Sequence, residues 1–316
     1  MTKSRRRGPP PPGEMFPAGD PSYRVSFPRL KSGITIRSIE IGDRRAPPVL
    51  FIPGWGCSVY VYRKNLPAIA SAGFRAIAVD LKGHGLSEKP LGRAEYALAT
   101  MVAHLAEIID ALQLDRLALV GHSMGATLLY HFASRQRDRA ACLALLSPVG
   151  LSGVPLMWLY RAMTPSFMAP IIRRLRPRAF VKIALHRVYG RRGGFDERDV
   201  DQYWAPLQFP ETAVALTDLL HSYDWNAART RDLPILNVPA IGIWGSRDHL
   251  MPTDGMDAYR HLIPGIILHE IEGAGHIIPE ETPDEVNASI LSLLRSAYGS
   301  GSEPAPRQKS TPARLY

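Results

Sequence analysis

The stretch LVGHSMGA, residues 119–126, ends an apolar run abruptly in Gly121-His122-Ser123-Met124-Gly125, with a polar serine held between two glycines. Residues 116–122 have the length and composition of a short buried strand, and a helical pattern begins near Met124. A serine at the apex of a tight strand-to-helix turn needs small neighbours two positions away on each side, and Gly121 and Gly125 supply them. Such a turn is a nucleophile elbow, which lifts the hydroxyl above the sheet and aims it at the helix N-terminus. A serine that only caps a helix is the competing reading of the same residues.

Outward from this turn the pattern alternates. Residues 34–41, 48–53, 74–80, 141–148, 239–245 and 265–271 read as further strands. Residues 100–114 read as a helix with Val102, Leu105, Ile109 and Leu112 on one stripe. Residues 282–297 read as another, with Thr282 as N-cap, Pro283 at the first helical position, Glu285 completing a capping box, and a stripe of Val286, Ile290, Leu293 and Leu294. Near-continuous apolar strands alternating with helices predict an α/β fold: a mostly parallel central sheet with helices on both faces, its active site at the carboxyl ends of the strands.

One segment breaks the alternation. Residues 151–231 contain helical patches at 155–163 and 211–223 but no convincing strand, which predicts a helical lid inserted into a core of residues 23–150 and 232–298. Within it, residues 151–190 hold Arg161, Arg173, Arg174, Arg176, Arg178, Lys182 and Arg187 and no acid. Both ends, residues 1–22 and 299–316, are basic and rich in Pro, Gly or Ser, and are expected to be disordered.

The 316 residues carry a formal charge of +9, much of it in these tails and in the insertion. That distribution gives solubility and weak electrostatic association, without a nucleic-acid recognition motif. Two cysteines, Cys57 and Cys142, make neither a disulfide framework nor a metal cluster. The basic N-terminus runs into prolines instead of an apolar signal region, and no apolar span is long enough to cross a bilayer. A soluble, cytoplasmic protein is the expectation.

A serine hydroxyl needs a general base, and the base needs an acid to fix its tautomer. Asp248 follows the strand at 239–245, and His276 lies in the glycine-flanked loop after the strand at 265–271, so the order is Ser, Asp, His. His122, His249, His261 and His269 are competing bases without that placement. An oxyanion needs two donors; the backbone N–H of Met124 is one, and the PGWGCS loop at 53–58 offers that of Trp55 as the other.

With these residues in place, positions 48–297 resemble the α/β-hydrolase superfamily, in its lid-bearing, esterase-like form. The motifs are FIPGWG at 51–56, DLKGHGLSEKP at 80–90, VGHSMGA at 120–126, WGSRDHLMP at 244–252 and EGAGHIIPEETPDEV at 272–286. Many members have His-Gly where this chain has Pro53-Gly54, and Lys82 stands where arginine is usual; Asp80, Gly83, Gly85 and Ser87 are expected to shape a loop near the pocket. The resemblance implies that Ser123 attacks an acyl carbon, His276 moves the proton, Asp248 holds His276, and water releases an acyl-enzyme, with no metal or organic cofactor. Relatives that open epoxides or displace halide use an aspartate at the nucleophile position, so Ser123 argues against both. C–C bond hydrolases, lyases and non-catalytic binding proteins share the scaffold.

The substrate is then a small, largely apolar acyl compound, chosen by insertion residues such as Trp158, Tyr160, Met163, Phe167 and Met168. The acid-free basic run offers either attraction of a carboxylate- or phosphate-bearing substrate or contact with an anionic membrane surface, against an ordinary solvated helix face. Cys57, beside the oxyanion loop, is either a reactive thiol or a small buried residue.

Overall fold

The computed structural model describes residues 8–150, 157–165, 168–174, 177–225, 233–251 and 256–299. Eight strands form one sheet: β1 (Arg24–Ser26), β2 (Ser38–Ile41), β3 (Pro48–Ile52), β4 (Arg75–Val79), β5 (Leu117–His122), β6 (Ala140–Leu146), β7 (Ala240–Gly245) and β8 (Ile267–Ile271), in the order β1-β2-β4-β3-β5-β6-β7-β8. The pairs β1/β2 and β2/β4 are antiparallel; every other pair is parallel. The helices of the core are α1 (Leu66–Ser71), α2 (Leu98–Ala111) and α3 (Met124–Arg135). The segment between β6 and β7 forms α4 (Met157–Met163), α5 (Ala169–Arg174), α6 (Arg178–Val188), α7 (Glu197–Trp204) and α8 (Pro210–Ser222), with no strand among its described residues. The chain closes with α9 (Met256–Leu262), α10 (Ile278–Glu281) and α11 (Pro283–Tyr298).

Successive strand residues alternate between two apolar layers, as the two-residue period of a strand requires. Leu50, Ile52, Ile77, Val79 and Leu119 enter one layer with α2 and α3, whereas Val49, Phe51, Ala76, Ala78 and Val120 enter the other with α1 and α11. Both faces being covered, β5, β6 and β7 are buried at every position, which is why they read as unbroken apolar runs. The stripe Val286, Ile290, Leu293 and Leu294 on α11 is buried as expected. No helix among the described residues is long and apolar enough to cross a membrane.

Two expectations need correction. Residues 8–22 are not a disordered tail: Met15 is buried, Phe16 packs edge-on against Tyr23 and Tyr60, and the Gln202 side chain on α7 bonds the backbone of both Glu14 and Phe16. The prolines around them masked two apolar anchors. Residues 1–7 and 300–316 lie outside the described residues. The capping box at Thr282 does not form either. Its hydroxyl bonds back to the Ile278 carbonyl in α10, and Glu285 pairs with Arg192 at 2.5 Å. A reciprocal box occurs instead at Asp196 and Asp199, opening α7.

The loop after β4 is organised by Asp80, fully buried, which accepts from Arg37 Nε at 2.7 Å, Val59 N at 2.8 Å and Leu86 N at 2.8 Å. A Cβ on Gly85 would fall inside the Asp80 carboxylate, and Ser87 Oγ donates to the Asp80 carbonyl at 2.5 Å. Lys82 is buried and reaches Glu95 at 2.9 Å.

Burial holds His84 down to about 4 and His104 down to about 3, the latter helped by the positive charge of Lys82. The unfolded chain takes up their protons near 6.5, so below that pH it binds more protons than the native state and stability falls as pH drops towards 4. Each such histidine contributes up to about 1.4 kcal/mol per pH unit in that window. Urea midpoints are therefore expected to fall steadily from pH 7 to pH 4.5; a flat profile would contradict the burial of neutral imidazoles.

Candidate active site

Ser123 stands at the junction of β5 and α3 with φ 54° and ψ −120°, a conformation L residues rarely adopt. Its neighbours must be glycine for two different reasons. A Cβ on Gly121 would lie 2.6 Å from Ala126 N across the turn, and one on Gly125 would lie 2.6 Å from Pro53 O and closer still to Ile52 O, at the end of β3. The backbone is pinned by Ser123 N donating to Leu146 O at 2.8 Å. Oγ is thereby set above the carboxyl ends of the strands.

Three side chains from three strand ends meet there. His276 Nε2 lies 2.9 Å from Ser123 Oγ, and its Nδ1 lies 2.7 Å from Asp248 Oδ2. Asp248 Oδ1 accepts from Leu250 N at 2.9 Å and Met251 N at 2.8 Å, which fixes the carboxylate's orientation. All three are 6–7% exposed, so water reaches the hydrogen-bonded chain only narrowly. With Asp248 accepting from Nδ1–H, the bare nitrogen of a neutral His276 is the one facing Ser123.

Met124 is the first residue of α3, where N–H groups have no intrahelical acceptor. Gly54 presses on Ser123, a Cβ there falling 2.9 Å from Ser123 Cβ, and Trp55 follows it directly. The Trp55 indole donates to Leu216 O in α8 at 3.0 Å and packs edge-on to Trp225, so the loop bearing it is tied to the insertion.

Other residues now acquire positions. His122 is buried beside His276, ring centroids 4.9 Å apart, and its Nε2 donates to the His276 carbonyl at 2.9 Å. Burial and the neighbouring His276 hold His122 down to about 3, so it is a neutral donor supporting the His276 backbone. His261 and His269 are exposed, His269 near Ser289. Cys57 and Cys142 are buried free thiols, and burial pushes Cys57 up to about 12 with the Glu280 carboxylate adding to it, which makes it unreactive. Trp158 and Met163 are 69% and 65% exposed; Phe167 lies outside the described residues, while Met168 is half-buried. Among the described residues no group of three His, Cys, Asp or Glu side chains is placed to hold a metal ion.

Sequence reasoning missed the support beneath His276. Glu281 accepts from Gly275 N at 2.8 Å, from Gly190 N at 2.9 Å and from Arg192 N at 2.9 Å, while His276 N donates to Val188 O at 2.7 Å. The contact is so close that a Cβ on Gly190 would lie 2.5 Å from Gly273 O. Adjacent Glu280, fully buried, accepts from Tyr189 OH at 2.6 Å, from Tyr203 OH and from Arg63 at 2.8 Å. Nothing in PEETP signals that both carboxylates turn inward.

Four cations of the run at 161–187 have partners. Arg173 pairs with Glu211, Arg178 with Glu197 and Asp201, and Lys182 with Glu197, all at 2.6–2.7 Å, and Arg161 bonds the carbonyls of Leu220 and Tyr223. Arg176 lies outside the described residues.

A family model described as alpha/beta hydrolase fold matches residues 47–283. The chain is 27% identical over 305 residues to epoxide hydrolase A of Mycobacterium tuberculosis, covering 83% of this chain and 95% of that protein. It is 29% identical over 263 residues to the 2-hydroxy-6-oxo-2,4-heptadienoate hydrolase of Pseudomonas putida, covering 80% and 90%. A thermophilic esterase from Thermogutta terrifontis superposes with a TM-score of 0.71 at 25% identity, covering 87% and 98%. With three quarters of its length inside the family model and a sheet of matching architecture, this chain belongs to the alpha/beta hydrolase family.

Proposed function

We propose that the protein is a serine hydrolase that cleaves a carboxylic ester through an acyl-enzyme on Ser123. The observation that carries this reading is the hydrogen-bonded chain Ser123–His276–Asp248 at 2.9 and 2.7 Å, with the serine held at positive φ. Ser123 Oγ adds to the ester carbonyl carbon as His276 Nε2 takes its proton; Asp248 stabilises the imidazolium. The N–H groups of Met124 and Trp55 donate to the oxyanion. His276 then returns the proton to the departing alkoxide, and water, deprotonated by the same nitrogen, releases the acid. The helices between β6 and β7 act as a lid over the substrate. Although the name of the Mycobacterium relative refers to epoxide opening, a serine in place of aspartate at the nucleophile position favours acyl transfer here.

A chain-length series of p-nitrophenyl esters tests this. The expected result is a burst of p-nitrophenolate approaching one per chain, followed by steady turnover. A folded protein with no turnover on any chain length would remove the esterase reading and leave C–C bond hydrolysis, the activity named for the Pseudomonas relative, or a non-catalytic binding role.

Glu281 has a positioning role in this mechanism. Glu281→Ala is expected to lower kcat by about 10²-fold with little change in KM, because the His276 loop loses the acceptor that fixes Gly275. Glu281→Gln keeps one acceptor oxygen and should recover part of the loss; equal kcat in all three proteins would refute the role.

A further inference from the structure

A cavity of about 510 Å³ lies outside the Ser123 site, lined by Arg187, Arg191, Arg247, His186, His249 and Tyr160 among others, with no acidic side chain among the described residues of its wall. Arg161, Arg173, Arg178, Lys182 and Arg192 of the insertion are matched by acids or carbonyls, as described above. Arg187, Arg191 and Arg247 are different: among the described residues their guanidinium groups have no side-chain hydrogen bond or ion pair. Three unpaired guanidiniums around one concave space repel one another unless an anion sits between them.

The backbone fixes where this space lies. Arg191 N donates to Gly273 O at 2.7 Å and Arg247 N donates to Ala274 O at 2.8 Å, so the two arginines flank adjacent carbonyls of a single loop. His276 is three residues beyond Gly273 on that loop, a span of at most ~10 Å of chain. Arg247 and His249 are also the neighbours of Asp248 on either side. The cavity thus shares its backbone frame with the loop that carries His276 and the turn that carries Asp248.

We propose that this cavity binds an oxyanion, a carboxylate or a phosphate carried by the substrate, and so makes the enzyme selective for acidic esters. The planar fork of arginine suits both groups, and the volume accepts a small organic anion. The inference rests on the serine hydrolase reading for its catalytic consequence and on the cavity alone for binding. It also replaces a diffuse attraction along residues 161–187 by one defined site, in which Arg187 is the sole member of that run and Arg191 and Arg247 come from outside it.

The test compares p-nitrophenyl hydrogen glutarate with p-nitrophenyl pentanoate in the wild type and in Arg187→Gln/Arg191→Gln, with Tm measured for both proteins. The wild type is expected to favour the anionic ester by at least about tenfold in kcat/KM, and the double variant to lose that preference while its rate on the neutral ester is unchanged. Salt should reduce the preference. In parallel, the anionic ester is titrated calorimetrically into Ser123→Ala with and without the two arginine substitutions, a readout independent of turnover. Binding weakened about tenfold by the substitutions supports the site even if no ester is hydrolysed; binding and preference both indifferent to them overturn it. Competition by inorganic phosphate, compared with competition by acetate, distinguishes a phosphate from a carboxylate ligand.

Discussion

Ser123→Ala is expected to lower p-nitrophenyl ester turnover by on the order of 10⁶-fold while the protein keeps its fold. The substitution removes one oxygen and retains Cβ, the atom beside Gly54, so the packing of the elbow survives. Only the partner of His276 Nε2 is lost. Tm should therefore stay within a few degrees of wild type. Adding His276→Ala to this variant is expected to reduce the rate little further, because nucleophile and base act as a unit. Steady-state and burst kinetics on the same ester provide the check. A single variant retaining about a hundredth of wild-type kcat would place the nucleophile elsewhere.

The largest expected effect on stability comes from Asp80→Ala. Arg37 is 1% exposed and Asp80 fully buried, and the Nη2 of Arg37 already lacks a protein partner. Deleting the carboxylate leaves a guanidinium buried without a counter-charge and also deprives Val59 N and Leu86 N of their acceptor. A loss of about 3–5 kcal/mol follows, or roughly 10 °C in Tm. The sign of the argument is checked by Arg37→Met/Asp80→Asn, which removes the stranded charge and keeps an acceptor oxygen; it is expected to recover about half of the loss. If the double variant were as unstable as Asp80→Ala, the loop's packing and not the isolated charge would be responsible.

These two predictions differ in how visible their residues are in the sequence. Ser123, Asp248 and His276 stand out because the backbone around them is crowded. Gly121 and Gly125 are forced by approach to Ala126 and to the end of β3, Gly245 by approach to Ala274 and Gly275, and Gly275 by approach to Val188 and Gly190, so each polar residue comes labelled by a glycine. The parallel strands stand out because burial on both faces demands unbroken apolar runs. β1 does not, being a three-residue edge strand with Arg24 half-buried, Val25 and Ser26 exposed, and no apolar run. Residues 8–22 were hidden by composition, since proline content speaks louder than Met15 and Phe16. The basic run looked unpaired because its acids, Glu197, Asp201 and Glu211, lie beyond the window in which charge was counted. Glu280 and Glu281 were illegible for a related reason: apart from Gly275, the partners named above are at least 77 positions away, and only the fold brings them to one place.

The Glu281 clasp also decides which parts of this protein are exchangeable. Described contacts of α4 and α5 run to α8, through Arg161 to Leu220 and Tyr223, Thr164 to His221, and Arg173 to Glu211. α8 is itself anchored to the core: its Leu216 carbonyl accepts from the Trp55 indole, Asp218 accepts from Gly92 N at 3.0 Å, and Ala215, Leu219 and Leu220 are buried in the layer shared with α2 and α3. The stretch from Val188 to Tyr203 is instead stapled to the His276 loop by Glu281, to Arg63 and Glu280 by its tyrosines and Asp199, and to the N-terminal segment by Gln202. A graft that imports a new specificity can therefore be cut within 157–174 with α8 left in place, whereas one cut at the strand ends would carry away part of the mounting of His276. In this chain the seam between scaffold and replaceable module runs through the insertion, not along its borders.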